Sequence, residues 1–189
     1  MKKTFLLPTL FLFSLGFSQI TDTSVNKENF EKSGFPYKGK RVLQVENIST
    51  PKEENYYVFS KNERGSAQDE LYIQQFKKVN GEWKVVAEEK VAEPGIMTSV
   101  WDARKAFFDA DKDGQADVLF VYSKHPKGNI DEQLGVVLLL IYKNKFYRME
   151  STAENGYDPM YDTYDFNPED LPSAVFKEFD DYWNKLDKQ

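Results

Sequence analysis

The sequence predicts a mainly β fold of the β-rich α+β kind, an antiparallel sheet of about eight short strands in consecutive hairpins with a C-terminal amphipathic helix. Three observations carry this expectation. Short runs rich in β-branched and aromatic residues recur between polar turns. Asn80-Gly81 joins two such runs and is a strong two-residue hairpin signal, because both residues tolerate positive φ. Near the end the period changes: Val175, Phe176, Phe179, Trp183 and Leu186 recur at three and four residues, with Lys177, Glu178, Asp181 and Lys185 opposite.

In chain order, Met1 to Ser18 reads as a signal peptide. Lys2 and Lys3 precede an apolar run from Phe5 to Phe17, and the small residues Gly16 and Ser18 predict cleavage before Gln19. That run is too short to span a bilayer of about 30 Å. The expectation is an exported protein, periplasmic or extracellular, with no transmembrane segment in the mature chain. Residues 19–40 read as a polar N-terminal arm, poorly ordered or forming one weak helical turn, with polar residues clustered around Phe30. Residues 41–189 form a single β-rich domain. Its predicted strands are Arg41 to Ser49, Tyr56 to Ser60, Glu70 to Val79 and Trp83 to Lys90. In the third and fourth, Leu71, Ile73, Trp83 and Val85 should mark buried faces, with Lys77, Lys78, Lys84 and Glu88 in water. Ala92 to Ser99 holds Pro94 and Gly95 and reads as a connection. Strand-like flanks, Ala106 to Phe108 and Val118 to Tyr122, enclose an acidic loop. Ser123 to Glu132 reads as a polar loop, Leu134 to Tyr142 as the most apolar and central strand, and Phe146 to Met149 as its partner across Lys143-Asn144-Lys145. Asn155 to Asp170 should be an ordered, irregular loop, and Pro172 to Asp187 the helix.

Composition narrows the chemistry. The 189 residues fit one domain. The absence of cysteine excludes disulfides, thiolate catalysis and cysteine-bound zinc. A single histidine, His125, argues against a His-rich transition-metal site. The net charge of −6 becomes more acidic without Lys2 and Lys3, and such a chain repels nucleic acid and anionic membranes.

The acidic loop is the strongest chemical signal. Asp109, Asp111 and Asp113 alternate, Gly114 follows, and Asp117 stands three residues later. A calcium ion wants six to eight oxygen ligands at roughly 2.3–2.6 Å in tolerant geometry. Alternating carboxylates on a tight loop can converge on one point, and Gly114 permits the sharp bend. The main-chain carbonyl of Gln115 and the side chain of Asp117 would complete the shell. The predicted metal ligands are therefore Asp109, Asp111, Asp113, Gln115 and Asp117, and the predicted cofactor is Ca2+. An EF-hand is rejected, because the twelfth position counted from Asp109 is Phe120 and the flanks are not helical. The alternative is an acidic, solvated hairpin loop without metal.

The spacing from Asp109 to Asp117 is similar to the calcium loops between β-strands in FG-GAP blades of integrin-like proteins, in which the ninth position is Asp. This likeness implies a calcium site and not a propeller, since no repeat of blade length is evident. Tyr37 to Lys40, Glu70-Leu71-Tyr72, the acidic loop running into Val118 to Tyr122, and the terminal Phe176, Phe179 and Trp183 together resemble small exported bacterial proteins loosely called surface polysaccharide biosynthesis proteins. That resemblance implies a cell-envelope setting and establishes no reaction. Members often carry cysteines after the acidic loop, where this chain has His125 to Gly128.

No catalytic set stands out. His125 could act as a base with Asp131 or Glu132, but a lone loop histidine is more often exposed and idle. Ser123 lacks a nucleophile-elbow context. Tyr157, Tyr161 and Tyr164, interleaved with Asp158, Asp162 and Asp165, resemble a sugar-stacking surface, although tyrosines also serve to pack a long loop onto a sheet. The leading expectation is an exported, calcium-binding, non-enzymatic module of the cell envelope that binds a glycan or a protein partner. The rival is an enzyme acting on surface polysaccharide with acids among Asp158 to Asp165, and a purely structural subunit is a third class.

Overall fold

The computed structural model describes residues 19–153 and 161–188. The predicted leader, Met1 to Ser18, and the predicted loop as far as Met160 lie outside the described residues. Among the described residues, ten strands form two antiparallel five-stranded meanders. The first sheet contains β1 (Thr21–Thr23), β2 (Arg41–Ser49), β3 (Glu54–Lys61), β4 (Leu71–Val79) and β5 (Glu82–Val91), in that order. The second contains β6 (Ile96–Phe108), β7 (Asp117–Pro126), β8 (Gly135–Tyr142), β9 (Lys145–Thr152) and β10 (Tyr161–Tyr164), ordered β10-β9-β8-β7-β6. The described residues also hold two helices, α1 (Lys27–Lys32) and α2 (Ser173–Lys185), with a 3-10 turn at Pro168–Asp170.

Strand alternation sorts the apolar residues into three layers of core. Between the sheets, Ile48, Tyr57, Phe59, Leu71 and Ile73 meet Val118, Phe120, Tyr122, Val137, Leu139 and Ile141. The opposite parity of β7 and β8, Leu119, Val121, Val136, Leu138 and Leu140, packs against Val175, Phe179 and Trp183 of α2. The outer face of the first sheet, with Val42, Val45, Val58 and Phe76, is covered by Phe30 of α1 and by Phe35 and Tyr37. This order explains the unbroken apolar runs of β7 and β8. Both of their faces are covered, so no position has to alternate with a polar one. The β-rich fold with its terminal helix stands as expected, with the strands divided between two facing sheets.

Residues 19–40 are built into the fold rather than projecting as an arm. Thr21 to Thr23 pair with Asn47 to Ser49, and the one helical turn is α1, whose Asn26 side chain caps it by accepting the Asn29 N–H at 2.9 Å. The Phe30 and Phe35 rings pack with centroids 4.8 Å apart. The hairpin at Asn80-Gly81 forms, with φ of 53° and 85°, the two positive values a type I′ turn needs. Val85, expected to be buried, is 43% exposed. It shares a face with half-buried Trp83, but β5 is the edge of its sheet and nothing lies beyond to cover it. Lys77, expected in water, is half-buried and ion-paired with Glu53.

The predicted connection from Ala92 to Ser99 ends early, because Ile96 to Ser99 already pair with Ser123 to Pro126. The polar stretch beginning at Ser123 is likewise strand as far as Pro126. Ion pairs tie the sheets together at their margins, as between Arg148 and Glu89, Lys105 and Glu46, and Lys124 and Glu93. Among the described residues no helix is long and apolar enough to cross a membrane.

Candidate metal centre

The two meanders set the position of the acidic loop. Phe108 pairs with Asp117, so residues 109–116 are the β6–β7 connection at one end of the second sheet. Two bends make it compact, at Lys112 with φ 57° and at Gly114 with φ 82°. Gly114 is there because positive φ carries little strain without a Cβ. The loop's own amides are then gathered by its carboxylates. The Gly114 N–H donates to Asp109 Oδ2 at 3.0 Å, the Asp113 N–H to Asp111 Oδ1 at 3.3 Å, and the Gln115 N–H to Asp113 Oδ1 at 2.8 Å. These bonds turn the three side chains inward. Asp109, Asp111 and Asp113 each offer an oxygen within 4.8 Å of the others', a group that could hold a metal ion.

Asp109 has its second oxygen, Oδ1, shut away from solvent without a hydrogen-bond partner among the described residues. A buried unsatisfied carboxylate oxygen is costly, and a cation is the natural partner for it. Asp117 lies at the base of the loop, 2% exposed, with Oδ2 accepting the Ala110 N–H at 3.2 Å. Burial, and then the neighbouring charges of Asp111, Asp113 and Asp109, push its carboxyl up to about 7 against the opposing Ala110 bond. It stands beside the converging triad. Gln115 is turned to Asp113, with its side-chain amide donating to Asp113 Oδ2 at 3.0 Å.

Two residues that chain-local reasoning passed over complete the surroundings. Tyr142 donates its hydroxyl to Asp111 Oδ2 at 2.8 Å, and Lys143 Nζ lies 3.0 Å from both Asp111 Oδ2 and Asp113 Oδ2. Burial pushes Asp111 and Asp113 up, but hydrogen bonds from Lys143, with Tyr142 on Asp111 and Gln115 on Asp113, outweigh it and hold both below their ordinary value. The Lys143 ammonium is held up in turn by Tyr142, Asp111 and Asp113. The signal for this contact is topological. Val118 pairs with Ile141, so consecutive hairpins bring the β8–β9 turn to the same end as the β6–β7 loop. The β2–β3 turn of the facing sheet buttresses the loop from outside. Thr50 Oγ1 donates to the Gly114 carbonyl at 2.9 Å, Lys52 Nζ donates to the Asp113 carbonyl, and Glu53 Oε1 accepts the Ala116 N–H at 3.3 Å.

Of the other sequence candidates, His125, Ser123, Asp162 and Asp165 make contacts within the fold. His125 is buried on β7 rather than exposed in a loop, with Nε2 2.7 Å from Ser123 Oγ and Nδ1 2.9 Å from the Glu132 carbonyl. Ser123 Oγ also accepts the Trp101 indole N–H at 2.9 Å and is 1% exposed, so no substrate reaches it. Asp162 accepts the Trp183 indole N–H at 3.0 Å, and Asp165 is ion-paired with Arg148. Tyr161 and Tyr164 are exposed on the edge strand β10. Tyr157 and Asp158 lie outside the described residues. No family model matches the chain, and no curated protein or solved structure matches it.

Proposed function

We propose that the protein is an exported, calcium-binding β-rich module of the cell envelope, working as a non-enzymatic binder of a glycan or protein partner. The observation that supports it is the convergence of Asp109, Asp111 and Asp113 beside a sealed, unpartnered Asp109 oxygen. All-oxygen donors with no nitrogen or sulfur favour a hard cation, and carboxylates on an irregular loop suit the tolerant geometry of calcium better than the stricter octahedron of magnesium. In this reading the Lys143 ammonium swings away as the ion enters, and Asp117 gives up its proton to join the shell. The ion clamps the β6–β7 connection, and through Thr50, Lys52 and Glu53 also braces the facing sheet. The leader and the likeness to exported bacterial surface polysaccharide biosynthesis proteins support an envelope setting, periplasmic or extracellular. Millimolar calcium outside the cytosol would fill even a weak site.

Melting the purified protein in calcium and in EDTA tests the ion. When free ion exceeds the dissociation constant a hundred-fold, stability rises by about 2.7 kcal/mol. Equal midpoints would defeat the calcium reading. A glycan array run beside a polysaccharide hydrolysis assay tests the role. Binding without turnover supports a module, whereas turnover lost in Asp162→Asn would establish the enzyme instead.

A further inference from the structure

At the far end of the molecule from the acidic loop lies a cleft of about 420 Å³. Its walls are the β3–β4 connection, the start of β2, Met97 of β6 and the turn after β7. The eight residues of β3 separate the two ends, about 25 Å at the usual strand rise. The cleft is built on a rigid floor. Lys61, 4% exposed, gives its ammonium to both Asp69 oxygens at 2.8 and 2.6 Å and to the Thr98 carbonyl at 2.6 Å. Asp69 Oδ2 accepts the Thr98 N–H at 2.9 Å as well, so this pair is internally satisfied. Asn62 staples the loop shut, donating to the Gln68 carbonyl at 2.7 Å and accepting the Glu70 N–H at 3.2 Å.

Above that floor the charges are not satisfied in the same way. Arg41 donates Nε to the Asn62 carbonyl at 3.3 Å and has no carboxylate partner among the described residues. The Lys127 ammonium donates to the Ser66 and Ala67 carbonyls, again without a carboxylate. The Arg64 side chain is exposed and makes no contact of either kind among the described residues. Three cations thus face one cleft, and among the described residues that line it Glu63 is the single acid without an ion pair. This occurs on a chain whose net charge is −6, where carboxylates are abundant elsewhere. Guanidinium groups present planar forks that match carboxylate and phosphate oxygens in pairs, and the cleft's volume is that of a small-ligand site.

We infer that this cleft binds an oxyanion, carboxylate or phosphate, between Arg41, Arg64 and Lys127. The site is separate from the acidic loop and does not depend on calcium. Titration calorimetry of the full mature chain, with inorganic phosphate in one arm and a galacturonate oligomer in another, tests it and tells the two sources apart. A neutral oligosaccharide of equal length is the control. Saturable binding of either anion, weakening as salt rises and absent with the neutral sugar, is the expected result. Arg64→Glu should weaken it at least about ten-fold, and Arg41→Gln should also weaken it. Arg64→Glu has no contact to lose, so an unchanged melting midpoint shows that the variant is folded. Asp109→Ala, at the other end, should bind the anion as the wild type does. No saturable binding of either anion at millimolar concentration, or undiminished binding by folded Arg64→Glu, overturns the inference.

Discussion

Replacing Asp117 by Asn separates what the protein does with a buried acid from what it would do with an ion. Asp117 is 2% exposed and its carboxyl is pushed up to about 7 by burial and by the three neighbouring aspartates. An acid raised in this way binds its proton more tightly in the folded chain than in the unfolded one. Its contribution to stability is therefore fully present below the unfolded value near 3.8 and declines as pH rises toward 7. Above about pH 7 the folded chain holds an unwelcome charge. A rise from 3.8 to about 7 corresponds to about 4 kcal/mol. The protein relaxes around a buried charge, so the effective dielectric there is well above that of a dry interior, and this brings the expectation down to about 2 kcal/mol. Asn keeps the shape and an oxygen for the Ala110 N–H but carries no charge. In EDTA at about pH 8 the variant should melt roughly 4–8 °C above the wild type, and the gap should narrow as pH falls and close only below about pH 4. In saturating calcium the order should reverse, because the wild type then uses the charge and the variant lacks it. Thermal melts followed by circular dichroism measure all of this. A variant no more stable than wild type in EDTA at pH 8 would refute the buried charge as a cost to the fold. Equal calcium stabilisation of both would remove Asp117 from the shell.

Three further outcomes follow from the contacts. Lys143→Met removes the cation that faces Asp111 and Asp113, so calcium should bind more tightly, by several-fold for an exposed pair worth about 1 kcal/mol; calorimetry reads this, and weaker binding would contradict it. Asp69→Asn leaves the buried Lys61 ammonium without its counter-charge and should destabilise the fold by about 3 kcal/mol at neutral pH, measured by urea unfolding. Burial pushes Asp69 up, but Lys61 and Thr98 outweigh it and hold the carboxyl below its ordinary value, so the wild type alone should lose this contribution as pH falls below about 4. Trp183→Ala empties the contact between α2 and the second sheet, and should lower stability by about 3–5 kcal/mol in the same assay.

Much of this architecture is legible along the chain where local rules act alone. Arg41–Ser49 is a strand at the residues its alternation predicts, Asn80-Gly81 turns as its φ preferences require, and the stripe on α2 buries Val175, Phe179 and Trp183. The aspartate spacing foretold convergence because all three acids sit on one short loop. What escaped is non-local. Ser123 and His125 look like loop residues because they are polar, yet they are buried and satisfied by each other, Trp101 and Glu132. Residues 19–40 look like a polar arm because the few apolar side chains that dock them, Phe30, Phe35 and Tyr37, are scattered. Tyr142, Lys143, Thr50 and Glu53 reach the acidic loop only because the two meanders bring their turns to one end.

Whether the acidic loop holds an ion is read most directly by a calorimetric titration of calcium into metal-stripped protein, repeated on Asp111→Ala. One saturable site per chain, lost in the variant, is the expected result. Heat no greater than dilution in the wild type, or a site that survives the loss of Asp111, would contradict it.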